Sequence, residues 1–362
     1  MVEIGNCWTE RPSLFVAPAT EPDPEKRALL VLKWILCSLK AELYIGRDAN
    51  AGIKKPLNAF LGELFFGNWK DDTGATSNVI SEQVSHHPPI TAVHMWDDEA
   101  GIRGTGYARS EMTFNGYISV KHTGHATLHL DKFDEDYLIP MPDATVKGFL
   151  AGHLYPELGG TYYIISSTGF TSQIQFSGKG FRSGLKNSVS AKLYRTEDPT
   201  KSPIYSVSGQ WSGQFSIQNA SGEVLETCTP GGTSVAPLLG PEPSEQDPWE
   251  SRRAWKDVIA ALREGDMQGT ITAKSKLEVA QRVMRKTEKA AGVIWEPLFF
   301  RSVPEEDKII TELAKALRWD FQPERTKGIW KFDAKRAKEL KAPFHEGLTP
   351  YGEAREVEKL ST

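Results

Sequence analysis

Glu82-Gln83-Val84-Ser85-His86-His87-Pro88-Pro89-Ile90 combines residue types suited to holding an anion. Two adjacent imidazoles offer hydrogen-bond donors that become cationic near neutral pH. Pro88 and Pro89 fix the backbone and remove two N–H donors, so the chain is expected to leave a sheet there. Such a rigid mount for two polar rings suits an anionic headgroup at a pocket mouth. A metal fits less well. Adjacent residues on a strand point to opposite faces, and no HExxH or CxxC pattern accompanies them.

A second constellation lies in Ala273–Lys286, where Lys274, Glu278 and Arg282 recur at i, i+4 and i+8 and so share one helix face. Spacing alone leaves two readings open. One is a solvated face laced by ion pairs worth roughly 0.2–0.5 kcal/mol each. The other is an acid orienting two cations toward a phosphate, with arginine presenting a fork and lysine a point charge. His122, His125 and His129 mimic a helical metal face, but Gly124 and the flanking strand pattern predict a hairpin with packing or surface histidines. Ser177–Gly184 is glycine-rich without Walker spacing and reads as a turn. There is no G-x-S-x-G elbow and no recognisable acid pair. Nothing in the chain calls for catalysis or a cofactor.

These residues need a large scaffold. The chain has 362 residues, 39% hydrophobic and 25% charged, so a sizeable core is available. Its net charge of -4 argues against a nucleic-acid partner, and any anion site must be a local cluster. Cys7, Cys37 and Cys228 are odd in number and widely spaced, and read as reduced thiols of a cytoplasmic protein. No secretory signal opens the chain. The most apolar stretch, Ala28–Leu39, is shorter than the roughly 18 residues of a membrane span and carries Lys33.

An N-terminal helical segment is expected over 1–62, with Pro24 and Glu25 in the first turn of an apolar helix. Over 63–245, short β-branched runs alternate with glycines at all-β spacing, as in Thr91–Trp96, Thr161–Ser166 and Val189–Tyr194. A Pro/Gly/Ser-rich connector precedes a helical region over 246–362. The fold class expected is α+β dominated by β, with a large antiparallel sheet closed or nearly so. Pattern alone does not separate a filled sandwich from a hollow barrel. The tail interleaves Arg318, Arg325, Lys327 and Lys331 with Trp319, Phe321, Trp330 and Phe332. That pattern fits either an anionic membrane surface or an ordinary packed element with a charged exterior.

The EQVSHHPP segment resembles the signature of the oxysterol-binding protein family of lipid transfer proteins. Lys54–Glu63 resembles a second family fingerprint, with Ala59 where a proline is usual. Ser208–Gly213 and Lys274–Lys286 fit as well. The resemblance runs from about Trp8 to about Trp330 and is closest to short fungal members consisting of the ligand-binding domain only. It implies a near-closed barrel around a hydrophobic lipid tunnel. It also implies a phosphatidylinositol 4-phosphate site made of Lys55, His86, His87, Lys274, Glu278 and Arg282. The headgroup carries about three negative charges, by analogy with a second phosphate pKa near 6, and Lys55, Lys274 and Arg282 match them.

Two departures from the family pattern stand out. Only six residues precede Cys7-Trp8, where short members carry an amphipathic lid, so the lid is expected to be absent or cut off. The polar floor that holds sterol in such members has Glu42-Leu43 where a glutamine and a tyrosine are usual, and Ala108 where an asparagine is usual; Trp8 is retained. The implied function is exchange of phosphatidylinositol 4-phosphate for a second lipid, with a sterol such as ergosterol or cholesterol expected, between membranes touched peripherally. The family's Golgi and endoplasmic-reticulum contacts would be the setting. A phosphoinositide sensor acting through a partner protein is the alternative.

Overall fold

A computed structural model describes residues 2–44, 57–148, 154–178, 185–232 and 234–352. After a 3-10 turn over Val2–Gly5, three helices open the chain: α1 (Asn6–Thr9), α2 (Pro12–Thr20) and α3 (Pro24–Tyr44). Asp23 caps α3 by accepting the Glu25 N–H at 3.0 Å. Buried residues lie on all sides of α3, from Ala28 and Val31 to Leu39 and Tyr44, because the sheet curls around it.

That sheet holds fifteen strands. They are β1 (Leu64–Lys70), β2 (Thr76–His86), β3 (Pro89–Asp97), β4 (Ile102–Phe114), β5 (Ile118–Leu130), β6 (Glu135–Pro140), β7 (Ala144–Lys147), β8 (Tyr155–Leu158), β9 (Gly160–Ser166), β10 (Phe170–Ser177), β11 (Ser188–Arg195), β12 (Tyr205–Gln210), β13 (Phe215–Asn219), β14 (Val224–Cys228) and β15 (Leu238–Leu239). The main path runs β14-β13-β12-β11-β10-β9-β6-β5-β4-β3-β2-β1-β15, with β7 and β8 paired alongside β5. Among the described residues its outermost strands are β14 and β15, which do not pair with each other, so the barrel is nearly rather than fully closed. The α+β, sheet-dominated class expected from the sequence is the one the chain adopts.

Two anchors hold α3 inside the sheet. Near its start, Arg27 forms a buried ion pair with Glu135 of β6. At its end, the Tyr44 hydroxyl accepts from Asn187 Nδ2 at 3.2 Å, and its ring lies 6.2 Å from that of the fully buried Trp211.

Beyond the sheet come α4 (Ser251–Ala254), α5 (Lys256–Glu264), α6 (Met267–Ala290), α7 (Lys308–Leu317), α8 (Pro323–Thr326) and α9 (Ala334–Glu339), with a ribbon of β16 (Phe300–Val303) and β17 (Ile329–Phe332). The ring of His94 stacks 3.9 Å from that of Phe332, and Trp330 is buried. The tail aromatics are therefore core residues, and Lys331 is taken up by Glu306 and Asp307.

The sequence-expected hairpin at His122–His129 does not form. All three histidines sit on the single strand β5. Gly124 is there because β4 passes close: a Cβ at that position would lie 2.1 Å from the Tyr107 carbonyl oxygen, at φ +141°. His125 is buried against Trp319 and Phe321, while His122 and His129 bond Pro142 and Asp136.

One buried acid ties the C-terminal region to the sheet. Glu82 accepts the N–H groups of Leu298 at 2.7 Å and Phe299 at 2.8 Å. Glu82→Ala leaves both donors buried without a partner and is expected to cost about 3 kcal/mol, whereas Glu82→Gln keeps one acceptor and costs about half of that. Urea unfolding midpoints test this, and an Ala variant as stable as the wild type would refute the staple.

Candidate functional site

The EQVSHHPP segment folds as the tip of the β2–β3 hairpin. The prolines do not take the chain out of the sheet. It reverses through His87-Pro88, and His86 pairs in register with Pro89. One residue extra on β2 makes a bulge at Val84, since Gln83 opposes Thr91 while Ser85 opposes Ile90. Gln83 holds the bulge: its Nε2 donates to the Ser85 carbonyl at 2.9 Å and its Oε1 accepts from Thr91 Oγ1 at 2.7 Å. Val84 and Ser85 are buried, and the two histidines that follow are exposed at the rim. Their ring centroids lie 4.6 Å apart at 65°.

The two fingerprints are hydrogen-bonded to each other. Gly62 N–H donates to the Gln83 carbonyl and Gln83 N–H to the Glu63 carbonyl, both at 2.9 Å. Glu63 also accepts Phe60 N–H and the Trp255 indole N–H, each at 3.1 Å. His86 Nδ1 meets the Ala59 carbonyl at 3.0 Å. A main-chain carbonyl makes that contact, so Ala59 serves without the usual proline. Lys55 lies outside the described residues.

Helix α6 is capped by Asp266, whose Oδ1 accepts Gly269 N–H at 2.8 Å, and it buries Leu277 and Gln281. Lys274 and Glu278 pair at 3.4 Å, both half-exposed. Glu278 acts on the His86 imidazole, whose pKa is lowered first by desolvation and then by His87 and is pulled back up by Glu278. Arg282 points outward on the exposed face. Arg285 also acts on His86, lowering its pKa. Its guanidinium lies over the Trp295 ring at 4.5 Å and beside Glu288 at 2.8 Å. The sequence reading missed Arg285, although it sits at i+7 from Glu278 and so on the same face.

Inside the sheet lies a largely apolar cavity of about 90 Å³. Trp8, Glu42 and Ala108 line it, with Ile4, Val93, Met95, Tyr107, His122 and others. Leu43 packs against the surrounding core instead, and Tyr44 is taken up by Asn187 and Trp211. The residues before Cys7 contribute a wall, because Ile4 and Gly5 face the cavity. Thr91 belongs to both places, lining the cavity while its hydroxyl holds Gln83.

Burial pushes the Glu42 carboxyl up to about 7, opposed only by the Trp8 side chain, and among the described residues its Oε2 has no hydrogen-bond partner. Burial also raises Tyr107 and lowers His122, keeping both neutral.

An oxysterol-binding protein family model matches residues 8–260. This chain belongs to the oxysterol-binding protein family. The family is one of lipid-binding transfer domains. The chain is 49% identical over 353 residues to a probable transporter, efuK, of Hormonema carpetanum, covering 96% of this chain but 50% of that protein. It therefore spans about half the length of that relative. It is 38% identical over 340 residues to the protein kes1 of Schizosaccharomyces pombe, covering 91% of this chain and 85% of the relative. Two solved oxysterol-binding folds superpose on it. The Osh1 ORD domain in complex with cholesterol gives a TM-score of 0.69 at 20% identity, over 94% of this chain and 81% of that one. The Osh3 ORD of Saccharomyces cerevisiae in complex with PI(4)P gives 0.68 at 21%, over 93% and 85%. At these identities the likeness shows the fold. Among the described residues no helix is long and apolar enough to cross a membrane.

The cavity carboxyl makes a pH prediction in this oxysterol-binding family member. The folded chain keeps a proton on Glu42 up to about 7, whereas the unfolded chain releases it near the ordinary 4.5. Across that window the folded state binds more protons, so stability falls as pH rises and levels off above it. Glu42→Gln is expected to make the decline shallower in urea unfolding at a series of pH values. An unchanged slope would exclude the raised pKa.

Proposed function

We propose that this chain is a lipid carrier that takes phosphatidylinositol 4-phosphate from one membrane and exchanges it for a sterol, both lodging in turn in the same chamber. The observation that carries this reading is the meeting, on one rim, of the His86–His87 pair, the second fingerprint and the charged face of α6. That rim shares Thr91 with the largely apolar cavity inside the sheet. Lys274 and Arg282, with Lys55 from the second fingerprint, supply the cations for the phosphate, and Glu278 orients Lys274. The two imidazole rings offer N–H donors to the phosphate. The complexes of the Osh1 and Osh3 domains with cholesterol and PI(4)P support the two cargo classes. Exchange needs no covalent step. In this reading the segments 1–62, 63–245 and 246–362 form one ligand-binding unit, working in the cytoplasm between membranes.

Membrane docking is assigned to the outer face of α6. Val279 and Val283 are exposed there, opposite the buried Leu277 and Gln281, and the exposed Lys276 and Lys286 flank them. The helix has six basic and two acidic residues in a chain of net charge -4, so this face complements an anionic bilayer. Val279→Asp/Val283→Asp is expected to cut sedimentation with anionic vesicles at least about fivefold. Because both side chains are exposed, the unfolding midpoint should hold. Undiminished vesicle binding would move the docking face elsewhere.

The deciding experiment is extraction of labelled phosphatidylinositol 4-phosphate from liposomes by the wild type and by His86→Ala/His87→Ala. Extraction is expected to fall by about tenfold or more in the double variant, from the loss of two hydrogen bonds to a charged group. A folded wild type that extracts nothing would sink the carrier reading.

A further inference from the structure

The cargo chamber carries a carboxyl where the family resemblance implies an amide. Glu42 projects from the last turn of α3 into a largely apolar wall that includes Trp8, Val93, Met95 and Ala126, with Thr91, Ser110 and His122 among its polar members. An unpartnered carboxyl oxygen in such surroundings is costly, and Oε2 is in that state. The titratable groups around the chamber do not relieve it. On α1, Cys7 is held as a neutral thiol, its pKa raised by burial, by Glu10 and by Glu42 itself, and the Glu10–Arg11 ion pair is internal to that end of the chain. On β4, Tyr107 stays a neutral phenol, and on β5 the Nδ1 of His122 is engaged by the Pro142 carbonyl at 2.7 Å. The 3-10 turn over Val2–Gly5 and the lining residues of β3, Thr91, Val93 and Met95, bring no charge except Glu3, which pairs outward with Arg252.

We propose that Glu42 is the specificity-determining group of the chamber: it selects an apolar cargo by the hydroxyl that the cargo brings to it, and its ionisation switches that selection. This rests on the carrier reading only in taking the cavity as the cargo chamber. A carboxylate accepts hydrogen bonds and cannot donate. In that form it holds an alcohol through a charge-assisted bond and repels a ketone, which brings only another acceptor. A protonated carboxyl both donates and accepts, so it holds either. An amide at the same place would also hold either, at every pH. The acid thus gives this chain a preference between an alcohol and its ketone that a glutamine could not tune. The rise of the Glu42 carboxyl to about 7 puts the change within reach of neutral pH.

The test is equilibrium binding of 5α-cholestan-3β-ol and of its 3-ketone, 5α-cholestan-3-one, to the full chain at pH values about 1.5 units either side of 7. The wild type is expected to raise its alcohol-to-ketone affinity ratio by about tenfold or more from the acid to the alkaline condition. In the near-isosteric Glu42→Gln the ratio should stay constant within about twofold. A constant ratio in the wild type, or an equal rise in Glu42→Gln, overturns the proposal. So does a folded wild type that binds neither sterol at the higher pH, where the alcohol must bind. Phosphoinositide extraction by the wild type, measured in parallel, keeps the two readings apart. A chain that switches sterol preference but extracts no phosphoinositide loses the carrier reading and keeps this one.

Discussion

The site depends on two carboxylates that never touch solvent. Glu63 and Glu82 are 1% and 0% exposed, and each accepts N–H groups from a distant part of the chain: the Trp255 indole for Glu63, and the Leu298 and Phe299 main chain for Glu82. Burial of an acid is unfavourable unless such donors converge on it. The two acids therefore enforce an arrangement: the second fingerprint, the β2 strand and the segment before β16 must meet, or the acids stand unpaired. The histidine pair is mounted on that junction, and the Gln83 bulge sets its direction.

The sequence showed the parts more clearly than their division of labour. His86-His87 read as a polar mount on a rigid turn, and that is how the pair sits. In the same segment, Glu82 and Gln83 look like further polar ligands, yet both are buried and structural. Their partners lie 216 residues away in one case and across a β-bulge in the other, and neither separation leaves a periodic mark. The strands and helices were legible because alternation and i, i+4 spacing are local. The hairpin expected at Gly124 was an error of the same origin. A glycine inside a strand signals close approach as readily as a turn, and only the passage of β4 beside it tells which.

Other misses have equally physical causes. The aromatic and basic tail has the composition of a membrane-facing surface, but its rings fill the space between the β16–β17 ribbon and the sheet. The outward apolar face of α6 was overlooked because its valines are dispersed among cations. Arg285 escaped a search in steps of four. Glu42, by contrast, was visible as an acid where the family resemblance implies an amide. What the sequence could not show is that α3 is enclosed on all sides and delivers that acid into a cavity rather than to water.

Thr91 gives the chamber and the rim a common part. One side of this residue is cavity wall, and its hydroxyl is what Gln83 grips to keep the bulge in place. A bulky occupant that pressed on β3 would loosen that grip, and the histidine tip beyond it would swing. The chamber and the rim are then opposite arms of a lever whose fulcrum is one hydrogen bond. What fills the chamber would then bear on the angle at which the two imidazoles are held at the rim.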